Sequence, residues 1–280
     1  MGLQKKIRVD TSIKKKNAKL NIKYAILQMM FWTCAASAYA YLTQMLQYKG
    51  FTDGQIGVIN AVKLFSTVVF QIIIGVFSDR HAERIQLKYI ISVLTVVALL
   101  LTSVFYEYKL SFVQTVTLFI GFGATFTCIS PLIDSLSIKY MNDGRNINYP
   151  ICRAAGSCAW AVACVLFGGF CDRYDANRLL ILQMLFTAMM LAVLLVMDDT
   201  SSCSDCRALG ARERIAAANI TETRKTEVHT AGYLLTTYPK YRWFLIGSAV
   251  MFMGYNVGTT FLINVFERLG GNNFHYGLAE

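Results

Sequence analysis

Charge is scarce in this chain, and so are the side chains that carry out most enzyme chemistry. Only 16% of the 280 residues are Asp, Glu, Lys or Arg, and there are three histidines. His81, His229 and His275 stand alone in loops or near the chain end, where solvation accounts for them. No glycine-rich phosphate loop, metal-ligating cluster or catalytic triad is present, so neither an enzyme nor a bound cofactor is expected. The eight cysteines are scattered, most of them inside apolar stretches, where a thiol serves as a small hydrophobe. Cys203 and Cys206 make a C-x-x-C with no second pair to complete a zinc site, and no structural disulfide is expected.

What remains is hydrophobic. Such residues make up 55% of the chain and mean hydropathy is +0.44, a value that the charged surface of a soluble domain rarely allows. Runs of about 20 apolar residues are long enough to cross a ~30 Å hydrocarbon core as helix. They fall near 24–47, 56–77, 87–106, 111–140, 150–170, 179–197 and 243–266. The expected fold is an all-α polytopic membrane protein.

The net charge of +10 suggests nucleic acid until its distribution is read. Of 27 Lys and Arg, twenty lie before the first span or in the loops after the second, fourth and sixth. The other set of loops holds five, Lys49, Lys109, Arg173, Arg178 and Arg268, while Lys63 and Arg153 lie inside spans. The positive-inside rule therefore puts the N-terminus in the cytoplasm, and no nucleic-acid partner is expected. The stretch after the basic leader is long and lacks a small-residue cleavage site, so it reads as a retained first helix.

The expected organisation is a basic cytoplasmic N-terminus (1–23), a six-helix bundle (24–197), a cytoplasmic linker (198–242) and one further helix (243–280). Within the linker, ARERIAAANI could form a short surface helix, and LLTTYPKYRW reads as an interfacial lead-in to the seventh span. The sequon Asn219-Ile-Thr221 falls on the cytoplasmic side, where glycosylation is not expected. Six helices and a long linker form the layout of half a two-bundle transporter. On that reading the second half is almost entirely missing, and GGNNFHYGLAE enters another helix. A complete seven-helix receptor is the alternative, but its N-terminus would face outward.

Ionisable side chains at membrane depth cost several kcal/mol unless they are paired or face water, and so tend to line solute pathways. Asp134 and Arg153 sit in consecutive apolar helices close to their connecting loop. Arg153, Ser157, Trp160 and Cys164 form one helical stripe, and Thr127, Ser130 and Asp134 another. Guanidinium and carboxylate suit vicinal hydroxyls, and an indole offers a flat apolar wall. Asn60, Lys63, Thr67 and Gln71 fall within about 80° of one another on the second helix. Thr33, Ser37, Tyr41 and Gln44 make a similar stripe on the first, read as general cavity lining. Two readings of Lys63 stand: it binds an anionic substrate, or it snorkels to the outer surface.

The loop after the second span reads Gly75-Val-Phe-Ser-Asp79-Arg80-His-Ala-Glu-Arg84. It resembles the signature loop of the major facilitator superfamily, in which the aspartate latches two bundles together. Ala82 stands where that signature has a later glycine. Gly75 would allow close helix packing, with Asp79 and Arg80 at the surface. A topogenic charge cluster is the plainer alternative. Leu64-Phe-Ser66, Phe70-Gln71, Pro131-x-x-Asp134 and Arg153-x-x-Gly156-x-x-x-Trp160 narrow the resemblance to the lactose permease branch, the oligosaccharide:proton symporters. Tyr255-Asn-Val and Asn264 add to it, so the resemblance spans the chain.

That resemblance implies a six-helix N-terminal bundle plus the first helix of a truncated second bundle, in the plasma membrane. It implies a small-molecule substrate held by Asp134, Arg153 and Trp160, with Asn264 matching the pattern; the polar stripes add Ser157, Lys63 and Gln71 as substrate-binding candidates. It also implies a conformational latch at Gly75, Asp79 and Arg80, and a proton as coupling ion, with the proton-handling residues beyond this chain. The missing helices, or a partner supplying them, would complete the cavity. Asp134 is one methylene shorter than the branch's Glu, and Lys63 replaces an uncharged residue. Asn256 and Thr259 are neutral where the permease has carboxylates, so the lysines that pair with those carboxylates should be absent downstream. A salt bridge that merely joins two helices is the alternative for Asp134 and Arg153. A drug or metabolite exporter, a seven-helix sensor and a truncated interaction protein are the alternatives for the whole.

Overall fold

The computed structural model describes residues 2–81, 84–199 and 236–280. The linker helix, Cys203 and Cys206, the sequon at Asn219, and Ala82 lie outside them. All regular structure among the described residues is helical. The helices are α1 (Gly2–Ala35), α2 (Leu42–Tyr48), α3 (Asp53–Arg80), α4 (Leu87–Glu107), α5 (Phe112–Asn142), α6 (Tyr149–Cys171), α7 (Leu179–Val196), α8 (Pro239–Arg268) and α9 (Asn273–Ala279). Six of them are long and apolar enough to cross a membrane, and the bent pair α1 and α2 makes a seventh. The chain is a multi-pass membrane protein.

Helix starts follow local chemistry. Thr52 and Gln55 form a capping box at α3, and Ser111 and Gln114 form one at α5. Each satisfies backbone donors that the first turn leaves without partners. Asn148 caps α6, and Pro150 occupies its first turn, where a missing N–H costs nothing. The first span departs from a plain helix. A π-helical segment, Ala36–Ala40, and a break at Tyr41 separate α1 from α2, which bends away by 51°. Wider i→i+5 bonds add a residue to the turn and rotate everything beyond it.

α3 packs on α5, α1 on α6 and α7, and α4 on both α5 and α7. Two hydrophobic cores fill the bundle. One gathers Leu27, Phe31, Phe126 and Ile133, and the other Met45, Ile56, Ile59 and Phe167. The helices approach closely where side chains vanish. A Cβ at Gly123 would lie 2.4 Å from the Lys63 carbonyl and from Ser66 Oγ. At the same crossing Ser66 Oγ donates to the Ile120 carbonyl (3.2 Å) and Thr67 Oγ1 to the Gly123 carbonyl (3.1 Å). Small residues and short polar side chains hold membrane helices together in this way. The outer face of α3 leaves Phe65, Ile72 and Val76 exposed, as lipid contact requires.

The end of α7 is clasped by cations from three other elements. Lys23 Nζ donates to the Val196 carbonyl (2.9 Å) and meets Asp198 (3.0 Å). Lys88 Nζ donates to the Met197 carbonyl (2.9 Å) and pairs with Asp199. Arg145 reaches Asp198 at 3.6 Å. The last carbonyls of a helix lack intrahelical donors and carry partial negative charge, so lysines at this end satisfy both needs.

At the opposite end, α8 and α9 are tied to the bundle. Asn60 Nδ2 donates to Thr260 Oγ1 (2.8 Å), Thr43 Oγ1 to the Thr260 carbonyl (2.6 Å), and Gln47 Nε2 to Asn264 Oδ1 (3.0 Å). The Asp172 carboxylate accepts from the first amides of α9, Asn273 N (2.9 Å) and Phe274 N (3.1 Å). The first half of α8, from Trp243 to Met251, is exposed. Bundle and α8 therefore meet at one end and part at the other, leaving a cavity between them.

Candidate functional site

The cavity has a volume of about 630 Å³ and is bounded by α1, α3, α5, α6, α8 and α9. Pro131 lies in its α5 wall. Proline has no N–H, so the Thr127 carbonyl one turn back loses its intrahelical donor at the cavity surface.

Asp134 and Arg153 both line the cavity but make no salt bridge with each other; the ion pairs of the described residues all involve other groups. This corrects the alternative in which the two only tie helices together. Instead a chain of contacts through α1 holds each of them. Asp134 Oδ1 accepts from Gln28 Nε2 (3.1 Å), and Gln28 Oε1 accepts from Trp32 Nε1 (3.1 Å). The Arg153 guanidinium lies 4.1 Å from the Trp32 ring centroid and donates to Ser157 Oγ (3.0 Å). A cation over an indole face is attracted by the ring quadrupole. Tyr149, at the start of α6, interacts electrostatically with both Asp134 and Arg153. Both charges are thus oriented without being neutralised by direct contact, and keep donors and acceptors for a solute.

Gly156 explains part of this geometry. A Cβ there would sit 2.6 Å from Trp32 Cδ1 and 3.4 Å from Gln28 Cβ, so only glycine admits the indole between α1 and α6. Trp160, one turn further along α6, meets Trp32 edge-on at 5.8 Å between ring centroids. Aromatic pairs favour that arrangement.

The other expected site residues divide. Trp160, Ser157, Lys63 and Gln71 line the same cavity, as do Thr127 and Ser130. Asn264 does not; it bonds to Gln47 beyond the closed end. Thr67 turns to α5, and Cys164 is buried, its carbonyl accepting from the Tyr41 hydroxyl (2.6 Å). At the expected latch, a Cβ on Gly75 would meet nothing within 4 Å, while Asp79 and Arg80 are exposed and outside the ion pairs of the described residues.

The first span needs the largest correction. Ser37 donates to the Cys34 carbonyl, Tyr41 to Cys164, and Gln44 to Asn273, so this stripe packs inward rather than lining the cavity. Phe31, Trp32 and Tyr39 line it instead. The π-helical segment between Ala36 and Ala40 breaks the 3.6-residue phase on which the stripe was drawn. Gln28, an amide in an apolar run four residues before Trp32, is the signal that could have found this face.

Residues 21–279 match the model of the MFS_1 like family. The chain belongs to that family. A solved structure with the same fold is a point mutant of the nucleoside transporter NupG, with a TM-score of 0.64 at 13% sequence identity. The match covers 86% of this chain and 57% of NupG, so this member of the MFS_1 like family spans little more than half the length of that relative. No curated protein matches the sequence. Family model and fold agree on a multi-pass helical membrane protein.

Proposed function

We propose that the full-length protein is a secondary transporter that takes up a small hydroxylated solute, a sugar or a similar compound, by alternating access. The observation that carries this reading is the pair of oriented but unpaired charges, Asp134 and Arg153, in one cavity beside Trp32 and Trp160. Ring hydroxyls would donate to the carboxylate and accept from the guanidinium, and the indoles would cover a flat apolar face. α8, tied at one end and free at the other, fits a bundle that rocks against its counterpart about a central site. The lactose permease-like motifs support proton coupling and inward transport across the plasma membrane, with the N-terminus in the cytoplasm.

A second reading draws on the aromatic lining. Phe31, Trp32, Tyr39 and Trp160 would suit a planar base, and NupG is named as a nucleoside transporter. Uptake of labelled sugars and nucleosides by the full-length protein in proteoliposomes, with and without an imposed proton gradient, separates the two. Arg153→Ala should abolish accumulation while leaving the amount of protein in the membrane unchanged. Uptake that survives the substitution removes Arg153 from the site.

A further inference from the structure

Lys63 is 3% exposed and lies in the cavity wall on α3. That burial excludes snorkelling to a surface, the second of the two readings its sequence position leaves. Its Nζ stands 5.4 Å from the centroid of the Tyr39 ring, and no ion pair of the described residues includes it. Asn60 and Gln71, one and two turns away on α3, are neutral. The cavity's carboxylates are engaged elsewhere: Asp134 accepts from Gln28, and Glu280 accepts from the Tyr276 hydroxyl (2.9 Å). A second polar group nearby also lacks a proper partner. Thr127 Oγ1 is buried beside the Tyr39 hydroxyl without a hydrogen bond of normal geometry.

An ammonium kept out of water costs several kcal/mol unless an anion or a set of acceptors replaces its hydration. No side chain of the described residues does so. We infer that the solute itself is anionic, and that Lys63 with Thr127 forms a subsite for its carboxylate. This rests on the solute-binding reading above and narrows it to acids whose hydroxylated or aromatic body lies against Arg153, Asp134 and the indoles. A single ammonium matches a single negative charge; a phosphate dianion would leave one charge unbalanced beside Tyr39. The bound carboxylate accepts from Lys63 Nζ and from the Thr127 hydroxyl, while the neutral end of the solute occupies the α1, α5 and α6 side.

Binding to the purified full-length protein, read from tryptophan fluorescence, tests this with matched pairs: glucose against glucuronate, and uridine against its 5′-carboxylate. The acid of at least one pair should bind about tenfold more tightly than its neutral partner, as a hydrogen bond to a charged group provides. Lys63→Gln should bring that ratio close to one, and Lys63→Arg should keep it. The ratio is the readout, so damage that weakens both members equally does not imitate the effect. If Lys63→Gln fails to fold, Lys63→Met reads the same ratio. Neutral solutes that bind without any preference for the acid overturn the anion subsite and leave the solute site standing. A preference that survives removal of Lys63 also overturns it. Failure of all four ligands to bind removes the solute site and the subsite together.

Discussion

Lys88 and Lys63 are both buried lysines, 7% and 3% exposed, on consecutive helices of one bundle. Lys88 sits at the end of the bundle with a carbonyl at 2.9 Å and the Asp199 carboxylate against its ammonium. Lys63 sits in the cavity wall beside an aromatic ring, with no ion pair among the described residues. The first is a structural cation: with Lys23 and Arg145 it closes the last turn of α7 and holds Asp198 and Asp199 just beyond it. The second contributes nothing comparable to the fold. A charge that stabilises and a charge held ready for a partner can thus be equally buried, and differ in what surrounds them.

The comparison is broken most sharply by replacing each lysine with methionine and measuring thermal unfolding in detergent. Lys88→Met should cost about 3 kcal/mol, because it leaves the Met197 carbonyl and Asp199 without their cation. Lys63→Met should leave stability unchanged or raise it, because it removes an uncompensated buried charge. Equal losses at both sites would show that Lys63 is structural as well. Gly123→Ala comes next: its methyl would press on the Lys63 carbonyl and Ser66, forcing α3 from α5 at about 2 kcal/mol of stability. An unchanged unfolding temperature would mean that this crossing is looser than the structure has it.

Gly156→Ala sharpens the functional side. By displacing Trp32 it removes the platform under Arg153, and solute affinity should fall about tenfold, beside a stability loss of about 1 kcal/mol from the crowded α1 and α6 contact. A binding constant within twofold of the parent would detach Trp32 from recognition. Asn264→Ala should have the smallest effect, within about 0.5 kcal/mol in either stability or binding, since it loses only the Gln47 contact outside the cavity. A large loss of binding there would restore Asn264 to the site.

The sequence made the spans after the first readable because each is an uninterrupted apolar run, and α3 to α8 lie where those runs do. The α5 and α6 part of the site was readable for a related reason: Asp134 and Arg153 are single charges in apolar helices, and no shift of phase separates them from Thr127, Ser130, Ser157 and Trp160. The α1 part was not, because the π-helical segment before Tyr41 rotates the later residues, and the cavity face there is aromatic rather than polar. Partner choice was also invisible. The sequence places Arg153 and Asp134 on consecutive helices, yet whether they meet each other or Gln28 and Trp32 depends on how closely α1 approaches α6. A single glycine, Gly156, sets that distance.

On this reading the cavity bounded by α1, α3, α5 and α6 holds the transported solute. A structure of the full-length protein with a transported solute bound tests it most directly. The solute should lie between Trp32 and Trp160, with hydroxyls on Arg153 and Asp134 and its acidic group on Lys63. A solute seated elsewhere, with Asp134 and Arg153 still held by Gln28, Trp32, Tyr149 and Ser157, would overturn that placement.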